Sequence, residues 1–369
     1  MKFSCYKDEL TDALQFVTRA VAVKAMTPIL AGIYMKAEGS TLELQATNFS
    51  TGIIARIPAT TEIPGETVVS GKRFQEFIRN MPDDNITFIE DDSKTKLQIS
   101  SGGAGVELLT MVASDFPRVK APDTDNSFKI RTITLRDLIR KTVFAVAKEE
   151  TRPVFSGCAF EIHGDKISVV ATNTHRLALA SDKLTETYGD SNFVVPAETL
   201  RSLMSRLDPK EVDNYITVNY SARYLTFSFD NVFMTSRLIE GQFPPYDRVI
   251  PNDGTTKVNV STSDFKNAVE FVALMSKETE YNTTKFKFAD NTIDITSNSP
   301  DIGDAGKSVE AQTEGEELEI AFNAEYIADV LRVIDAPRIN IRLNDKFSPA
   351  AFTVPDDENY IYVVTPVRA

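Results

Sequence analysis

The adjacent residues His175 and Arg176, in ATNTHRLALA (171–180), are the first candidates for chemistry in this sequence. Imidazole titrates near neutral pH without help from its surroundings, and a guanidinium holds anions. The chain contains only two histidines, which sets this pair apart. From these residues alone, three interpretations stay open: a catalytic base beside an anion clamp, a phosphate clamp, or a turn that His175 merely caps.

Motifs that would complete a catalytic or cofactor site are absent from the sequence. It contains no nucleophile elbow, metalloprotease helix, CxxC pair, Walker loop or dinucleotide fingerprint. The stretch SGGAG (101–105) lacks the Gly-Lys-Ser/Thr ending of a phosphate loop and lies between two alternating runs, so it predicts a hairpin turn. Cys5 and Cys158 are far apart, and we expect reduced structural thiols. No catalytic residue, metal site or cofactor is predicted.

The other histidine and the paired acids fit solvated positions. His163 lies in FEIHGDKISV, where His-Gly-Asp predicts a turn from one strand to the next. Asp91 with Asp92, and Asp356 with Asp357, lie in loop-like stretches without a histidine or a third ligand at metal spacing. We therefore expect all of these side chains to contact solvent.

The length and composition of the chain indicate a folded protein of several domains. Its 369 residues exceed the roughly 250 to 300 that one hydrophobic core supports, so two or three domains are expected. No apolar run approaches the ~18 residues of a membrane span, and MKFSCYKDEL reaches acidic residues before any apolar run, so we expect a cytoplasmic protein. The net charge of −13, taken alone, argues against a nucleic-acid partner.

Three segments of the chain resemble one another. They are LELQATNFSTG (42–52), ISVVATNTHRL (167–177) and IDITSNSPDIG (293–303). Asn48, Asn173 and Asn298 are spaced by 125 residues each. The regular spacing predicts a threefold repeat of one structural unit.

Two series of apolar residues recur with this repeat. The first has offsets of 0, 3, 4 and 7, which place four side chains on one helical stripe: Phe74, Phe77, Ile78 and Met81; Leu200, Leu203, Met204 and Leu207; Ile327, Val330, Leu331 and Ile334. The second opens each unit: Leu10, Leu14, Val17 and Val21; Leu138, Ile139 and Val146; Phe265, Val269, Val272 and Met275. Between them, runs such as ITVNY (216–220) alternate with the period of a strand. Each unit is predicted to be α+β, with two helices packed on antiparallel sheets.

The predicted helices differ in charge from the rest of the chain. Their windows are 7–25, 72–80, 135–148, 197–207, 263–277 and 324–335, which together hold 15 Lys or Arg and 11 Asp or Glu. A surface made by these helices would carry a positive field on an acidic body. Ordinary solvated helix faces explain the same count equally well.

Four further segments carry a family resemblance. They are THRLA (174–178), IEGQFPPYDRVIP (239–251), FNAEYIADVL (322–331) and YVVTPVRA (362–369). With the threefold repeat, they make the whole chain resemble the bacterial sliding clamps, the beta subunits of DNA polymerase III. The resemblance implies three clamp domains, at 1–125, 126–252 and 253–369. It also implies a head-to-tail homodimeric ring around double-stranded DNA, bound without regard to sequence.

The resemblance implies a non-catalytic role. A clamp loader opens the ring, which then tethers the DNA polymerase III alpha subunit, other polymerases and repair proteins through short peptide motifs. Weak phosphate contacts suit a ring that slides, whereas base-edge contacts would oppose sliding. No membrane partner is expected.

The resemblance places His175 and Arg176 in a pocket that accepts partner peptides. The matching positions are Thr172, His175, Arg176, Leu177, Pro244, Arg248, Val249, Val363, Thr365, Pro366 and Arg368. We expect the apolar members to receive the anchors of an extended peptide, with His175, Arg176 and Arg368 at the rim. Many clamps have Asp-Gly before the histidine and Met at position 365. The Asn173-Thr174 pair should change little, whereas Thr365 should make the pocket smaller and less adaptable.

Two further surfaces follow from the same resemblance. VELLTMV (106–112) predicts a strand with an unpaired edge, and Val106 and Leu108 are expected to face Leu274 and Met275 of the second copy. The residues expected to contact DNA phosphates are Lys24, Arg73, Arg140, Lys148 and Arg201.

Two alternatives of other classes stay open in the sequence. An enzyme that uses His175 as a base needs a carboxylate or nucleophile from another segment, and loss of turnover in His175→Ala would favour it. A repeat scaffold that binds no DNA would show no salt-sensitive retention on nicked circular DNA with loader and ATP.

Overall fold

The chain forms two compact units, each made of separate segments. A computed structural model describes residues 1–23, 27–121, 124, 126–148, 152–210, 213–251, 253–276, 282–299 and 303–367. The first unit contains Met1–Ile133 and Ser202–Leu238, and the second contains Thr134–Arg201 and Ile239–Ala369. Lys24 and Arg368 lie outside the described residues.

Within the described ranges the α-helices match the six windows expected from the repeat. They are α1 (Lys7–Val17), α2 (Gly71–Arg79), α3 (Thr132–Thr142), α4 (Ala197–Met204), α5 (Thr262–Ser276) and α6 (Ala324–Val333). Helices α1 and α3 end earlier than expected, and each continues as a short 3-10 turn. At these ends the hydroxyls of Thr18 and Thr142 each donate to the carbonyl four residues earlier, at 2.7 Å. Such a bond competes with the helical ladder and weakens it.

The predicted apolar stripes form most of the helix-facing core. Nearly all of their members are buried, as expected for the side of a helix that packs on a sheet. Phe77 is exposed, and Met204 and Met275 are half-buried, so the stripes are narrower than predicted at these three positions.

The strands are antiparallel throughout both sheets. In chain order they are β1 (Lys2–Tyr6), β2 (Gly32–Glu38), β3 (Thr41–Thr47), β4 (Thr51–Pro58), β5 (Thr60–Ile63), β6 (Gly65–Ser70), β7 (Asn85–Glu90), β8 (Lys96–Ser101), β9 (Ala104–Met111), β10 (Ser127–Arg131), β11 (Gly157–Thr172), β12 (Arg176–Pro196), β13 (Tyr215–Tyr220), β14 (Tyr224–Phe229), β15 (Val232–Arg237), β16 (Thr256–Ser261), β17 (Thr283–Ala289), β18 (Thr292–Ser299), β19 (Gly303–Glu314), β20 (Leu318–Asn323), β21 (Arg338–Leu343), β22 (Ala350–Val354) and β23 (Asp357–Val364). The first unit holds one sheet in the order β10-β13-β14-β15-β4-β3-β2-β6-β9-β8-β7-β1-β5. The second holds the order β11-β12-β23-β22-β21-β16-β19-β18-β17-β20.

The glycine-rich stretch is a hairpin turn, as predicted. Gly102 and Gly103 connect β8 to β9 with φ angles of 53° and 83°, in the left-handed region that favours glycine. A Cβ atom on Gly102 would also lie 2.5 Å from a carboxylate oxygen of Asp83. The turn therefore needs glycine for both conformation and space.

The stretch His-Gly-Asp at 163–165, for which a turn was predicted, lies within the range of β11. His163 lies inside β11, next to Gly164, whose φ of 63° accompanies a break in the register of β11 against β12. Gly39, 125 residues earlier, has a φ of 60° at the hairpin between β2 and β3, so the turn at 163–165 stays a prediction. The hairpin between β11 and β12 closes at residues 173–175.

No helix among the described residues is long and apolar enough to span a membrane.

Candidate functional site

The turn between β11 and β12 is built by side chains that bind its own backbone. Asn173 Oδ1 accepts hydrogen bonds from the N–H groups of His175 and Arg176, at 3.1 and 3.0 Å. Thr172 Oγ1 donates to the Arg176 carbonyl at 2.6 Å and accepts from the Thr174 N–H at 3.1 Å. These bonds accompany a left-handed Thr174, with φ of 75°, and leave the His175 side chain exposed at the tip.

The last strand of the chain fixes this turn from one side. Strand β23 pairs with β12, with Leu177 opposite Val363. Beyond the strand, the N–H and the hydroxyl of Thr365 both donate to the His175 carbonyl, at 2.9 and 3.0 Å. Two segments almost two hundred residues apart in sequence thus form one surface.

A pocket of about 240 Å³ lies beside the turn, within the second unit. Its lining residues are Phe155, Thr172, Thr174, His175, Arg176, Leu177, Phe243, Pro244, Pro245, Tyr246, Val249, Pro349, Val363 and Thr365. Leu177, Val363, Phe155 and Phe243 belong to one buried apolar cluster, in which the two phenylalanine rings meet edge to face at 6.0 Å. The floor is apolar, and polar groups lie at the turn.

The connector 243–249 forms the opposite wall of the pocket. The Tyr246 hydroxyl donates to a carboxylate oxygen of Glu161 at 2.6 Å, which fixes the connector to β11. Burial and the hydrogen bond to Glu161 raise the pKa of Tyr246, so this phenol stays protonated and remains a donor. Val249 is exposed at the end of this wall.

Arg176 is buried beneath the turn, and its predicted place at the rim is wrong. Its guanidinium forms an ion pair with Asp329 at 2.7 Å and donates to the Phe144 carbonyl at 2.6 Å. It also stacks on the Tyr326 ring, with 4.3 Å between the guanidinium carbon and the ring centre. A guanidinium is seldom buried without such partners, because desolvating it is costly. These groups come from segments that the sequence pattern did not connect to Arg176.

The site offers no arrangement for catalysis. In the described part of the chain, no hydrogen bond or ion pair holds the His175 imidazole, and no group of acids, histidines and cysteines could bind a metal. Burial raises the pKa of Cys5 and Cys158 to about 12, so neither thiol is available as a nucleophilic thiolate. Both cysteines are free and buried, as predicted.

Comparisons with known proteins identify the family. Models of the N-terminal, central and C-terminal domains of the DNA polymerase III beta subunit match residues 1–120, 129–245 and 247–368. The chain belongs to the DNA polymerase III beta subunit family. It is a DNA sliding clamp of three domains, a processivity factor and not an enzyme. The catalytic interpretation of His175 is therefore wrong.

Individual sliding clamps resemble the chain over its full length. The beta sliding clamps of Bacillus subtilis (strain 168) and Vibrio cholerae are 31% and 30% identical, over all of both chains. The crystal structure of the Bacillus subtilis DNA polymerase sliding clamp has a TM-score of 0.94 at 30% identity, covering 100% of this chain and 99% of that one. The Pseudomonas aeruginosa sliding clamp bound to griselimycin has a TM-score of 0.93 at 28% identity, over all of both chains.

The clamp brings together eight of the eleven predicted pocket positions. Arg248 is exposed and Pro366 is half-buried, and neither lines the pocket. Arg368 lies outside the described residues. Sequence reasoning missed Phe155, Thr174, Phe243, Pro245, Tyr246 and Pro349. Three of these lie in the run IEGQFPPYDRVIP, whereas nothing in the local sequence marks Phe155 or Pro349.

Two of the expected DNA-contacting side chains are free to reach solvent. Arg73 is exposed and, within the described ranges, pairs only with Glu76, at 3.3 Å on the surface. The Lys148 side chain is 80% exposed, and Glu325 lies 3.4 Å from its amine. Exposed pairs of this kind are weak, so a phosphate could replace either carboxylate. The third expected contact, Lys24, falls outside the described residues.

The other two expected DNA-contacting arginines are engaged with the protein. The side chain of Arg140 is only 22% exposed and forms ion pairs with Asp137 and Asp335, at 2.7 and 2.6 Å. Arg201 is exposed but donates to the Val143 carbonyl at 3.2 Å. Arg140 would have to leave Asp335 before it could contact a phosphate.

The residues expected at a dimer interface differ in exposure. Leu274 is 66% exposed, whereas Met275, Val106 and Leu108 are half-buried in the single chain. The most exposed apolar side chain of β9 is Leu109, at 76%, which the sequence prediction did not include.

Proposed function

We propose that the pocket beside the Thr172–Arg176 turn binds a short linear peptide from partner proteins, above all from the DNA polymerase III alpha subunit. The observation that carries this proposal is an apolar floor assembled from separate segments, with Leu177, Pro244 and Val363 among its members. A pocket with an apolar floor and a few polar groups at its edge is suited to hydrophobic anchors of an extended chain. His175 and Thr174 lie where they can hold peptide carbonyls.

The direct test is binding of a peptide with the C-terminal sequence of the alpha subunit. The variant Leu177→Ala with Val363→Ala removes the apolar floor, and we expect its affinity to fall about a hundredfold. A matched control, Leu343→Ala with Val260→Ala, removes the same side-chain types from buried positions outside the pocket. The control should bind the peptide like the wild type. Equal affinities in all three proteins, with the dimer intact, would place the partner site elsewhere.

We also propose that two copies close head to tail into a ring. On one side of β9, residues 104–109 pair with β8. On its other side, Thr110 and Met111 pair with β6, and residues 104–109 have no strand partner there among the described residues. Residues 303–310 of β19 likewise pair only with β18 in the described part of the chain. Open strand edges near exposed leucines favour covering by a second copy, and head-to-tail contacts that close avoid filaments.

The dimer is tested by its mass in solution. Val106 and Leu108 of one copy are proposed to face Leu274 and Met275 of the other. Leu274→Ala with Met275→Ala should therefore shift the mass from two copies to one at low concentration. A dimer that survives this double variant would contradict the assignment.

Double-stranded DNA is proposed to contact the helices through weak, sequence-independent phosphate contacts. The excess of basic residues lies in the predicted helix windows of the first two repeats, where Arg73 and Lys148 are the most accessible candidates and Arg201 is also exposed. Lys148 itself lies beyond the end of α3. Reversing the charge of Arg73 and Lys148 should reduce retention on nicked circular DNA and weaken its salt dependence. An equal loss from reversing Asp91, in a loop of the first repeat, would contradict this surface.

The remaining features of the proposal follow from family membership. The three clamp domains are proposed to span 1–125, 126–252 and 253–369. A clamp loader is proposed to open the ring in the cytoplasm, and other polymerases and repair proteins to use the same pocket.

A further inference from the structure

The ion pair between Arg176 and Asp329 connects the pocket turn to helix α6. The Arg176 side chain is 3% exposed and that of Asp329 is 19% exposed. Nη1 of Arg176 binds Asp329 Oδ2, and Nη2 donates to the Phe144 carbonyl. The guanidinium is thus held by groups of its own protein and is almost fully buried.

Helix α6 reaches the same turn at a second point. The Asn173 amide donates to the Tyr326 hydroxyl at 3.2 Å, and the Tyr326 ring lies under the Arg176 guanidinium. Tyr326 and Asp329 are three residues apart and share one face of the helix. The Tyr362 hydroxyl donates to the Tyr326 carbonyl at 2.9 Å, which ties this face to β23.

Removing the Asp329 charge leaves the guanidinium without a counter-charge in a buried site. A buried cation that loses its partner moves toward water or draws water in, because its desolvation is no longer compensated. Arg176 ends the turn and precedes Leu177 in the pocket floor, so a movement of Arg176 displaces both.

We propose that Asp329 is a positioning residue of the peptide pocket: its carboxylate holds Arg176, and thereby the Thr172–Arg176 turn, in the shape that receives a partner peptide. Asp329 itself does not line the pocket. This role rests on the proposed peptide-binding function of the pocket. A purely structural role of the ion pair would lower the stability of the second unit and leave peptide affinity unchanged.

The test uses full-length dimer and a peptide with the C-terminal sequence of the alpha subunit. Asp329→Asn keeps the size of the side chain and removes its charge, and we expect at least about a tenfold loss of affinity. Asp329→Glu should recover most of this loss. The matched control is Asp335→Asn, because Asp335, just beyond the end of α6, pairs with Arg140 and, among the described residues, forms no hydrogen bond or ion pair with the turn. It should bind like the wild type.

The two histidines supply a second readout. His175 lies in the turn, whereas His163 is exposed in β11 beside Asp190. In the free protein, Asp329→Asn should shift the imidazole resonances of His175 and leave those of His163 unchanged. Asp335→Asn should shift neither. Unchanged His175 resonances in Asp329→Asn would contradict a positioning role.

A double-mutant cycle shows whether Asp329 acts through Arg176. In an Arg176→Met background, Asp329→Leu should cause no further loss of affinity, because the group that it positions is gone. The variant Arg176→Met with Asp329→Leu contains no buried charge without a partner, so we expect it to fold even if Asp329→Asn does not. Independent, additive losses would overturn the proposal. If even Leu177→Ala with Val363→Ala leaves binding intact, the pocket assignment fails; if that variant loses binding and Asp329→Asn does not, only the positioning role fails.

Discussion

The turns at Asn48 and Asn173 have the same backbone hydrogen bonds and differ in the residues that surround them. In the first unit, Asn48 Oδ1 accepts from the N–H groups of Ser50 and Thr51, at 3.0 and 2.8 Å. Thr47 Oγ1 donates to the Thr51 carbonyl at 3.1 Å and accepts from the N–H of Phe49, whose φ is 68°. The turn at Asn173 in the second unit repeats each of these bonds.

The two turns diverge in the residues that follow the shared asparagine. Leu177 lines the pocket in the second unit, and its equivalent in the first unit is Gly52. A Cβ atom on Gly52 would come within 2.9 Å of the side chains of Val119 and Thr235. The first turn is packed where the second borders a pocket, so the same backbone frame has different surroundings in the two units.

The largest expected effect comes from exchanging the residues at these equivalent positions. Gly52→Leu should lower the free energy of unfolding by about 3 kcal/mol, because it overpacks a filled site, and should leave peptide affinity unchanged. Thermal unfolding and peptide titration measure the two quantities. Gly189→Leu, at a glycine with open space around it, is the control and should change stability by less than about 0.5 kcal/mol. A stable Gly52→Leu protein that gained peptide binding would show that the first turn is a second site.

The next effect comes from removing the asparagine side chain of each turn, and it separates the stability of the turns from peptide binding. Asn48→Ala and Asn173→Ala each remove an acceptor from two backbone N–H groups, and each should cost about 1 to 2 kcal/mol of stability. Only Asn173→Ala should also lower the affinity for the peptide, by about tenfold, because the turn beside the pocket becomes less rigid. Equal peptide affinities in the two variants would mean that the shape of the second turn does not matter for binding.

A smaller effect concerns the polar residue at the edge of the second turn. Thr365→Met removes the hydroxyl bond to the His175 carbonyl and adds a flexible apolar side chain. We expect tighter binding of peptides with large anchors, by about three- to fivefold, and no change for small ones. Titration of a peptide pair that differs in one anchor measures this preference, and Thr365→Val controls for loss of the hydroxyl alone. A uniform change for both peptides would contradict the expected effect on pocket size.

The smallest effect comes from the left-handed residue of each turn. Thr174→Gly should raise the free energy of unfolding by about 0.5 kcal/mol, because a β-branched residue is strained at this φ and glycine is not. Phe49→Gly should gain less, since Phe49 is not β-branched. Chemical denaturation measures both gains. A loss of stability in Thr174→Gly would mean that its bond to Thr172 and its pocket contacts outweigh the strain.

Several features of the two turns and their surroundings could be predicted from the sequence. The spacing of Asn48 and Asn173 and the apolar stripes follow from local periodicity, so the repeat, the helices and the hairpin at SGGAG were all predictable. The early ends of α1 and α3 could not be predicted, because a threonine hydroxyl can bind either solvent or the helix backbone. In the structure, Thr18 and Thr142 bind the backbone.

The environment of the site was harder to predict than its residues. Arg176 was expected at the rim, yet its partners Asp329 and Tyr326 come from α6, 153 and 150 residues further along the chain. The pocket wall at Phe155 and Pro349 is likewise the product of tertiary packing. The sequence around Arg176 does not indicate which distant carboxylate pairs with its guanidinium in the folded protein.

Of the two turns, we propose that only the second holds a partner peptide. Crosslinking tests this directly. A peptide with the C-terminal sequence of the alpha subunit, in which one anchor residue is photoreactive, is crosslinked to the wild-type dimer. The crosslinked residues are then identified by mass spectrometry. We predict crosslinks within 172–177, 243–249 and 363–365, competed by unlabelled peptide. Competed crosslinks at 47–52, or none in these three segments, would contradict the proposed difference between the turns.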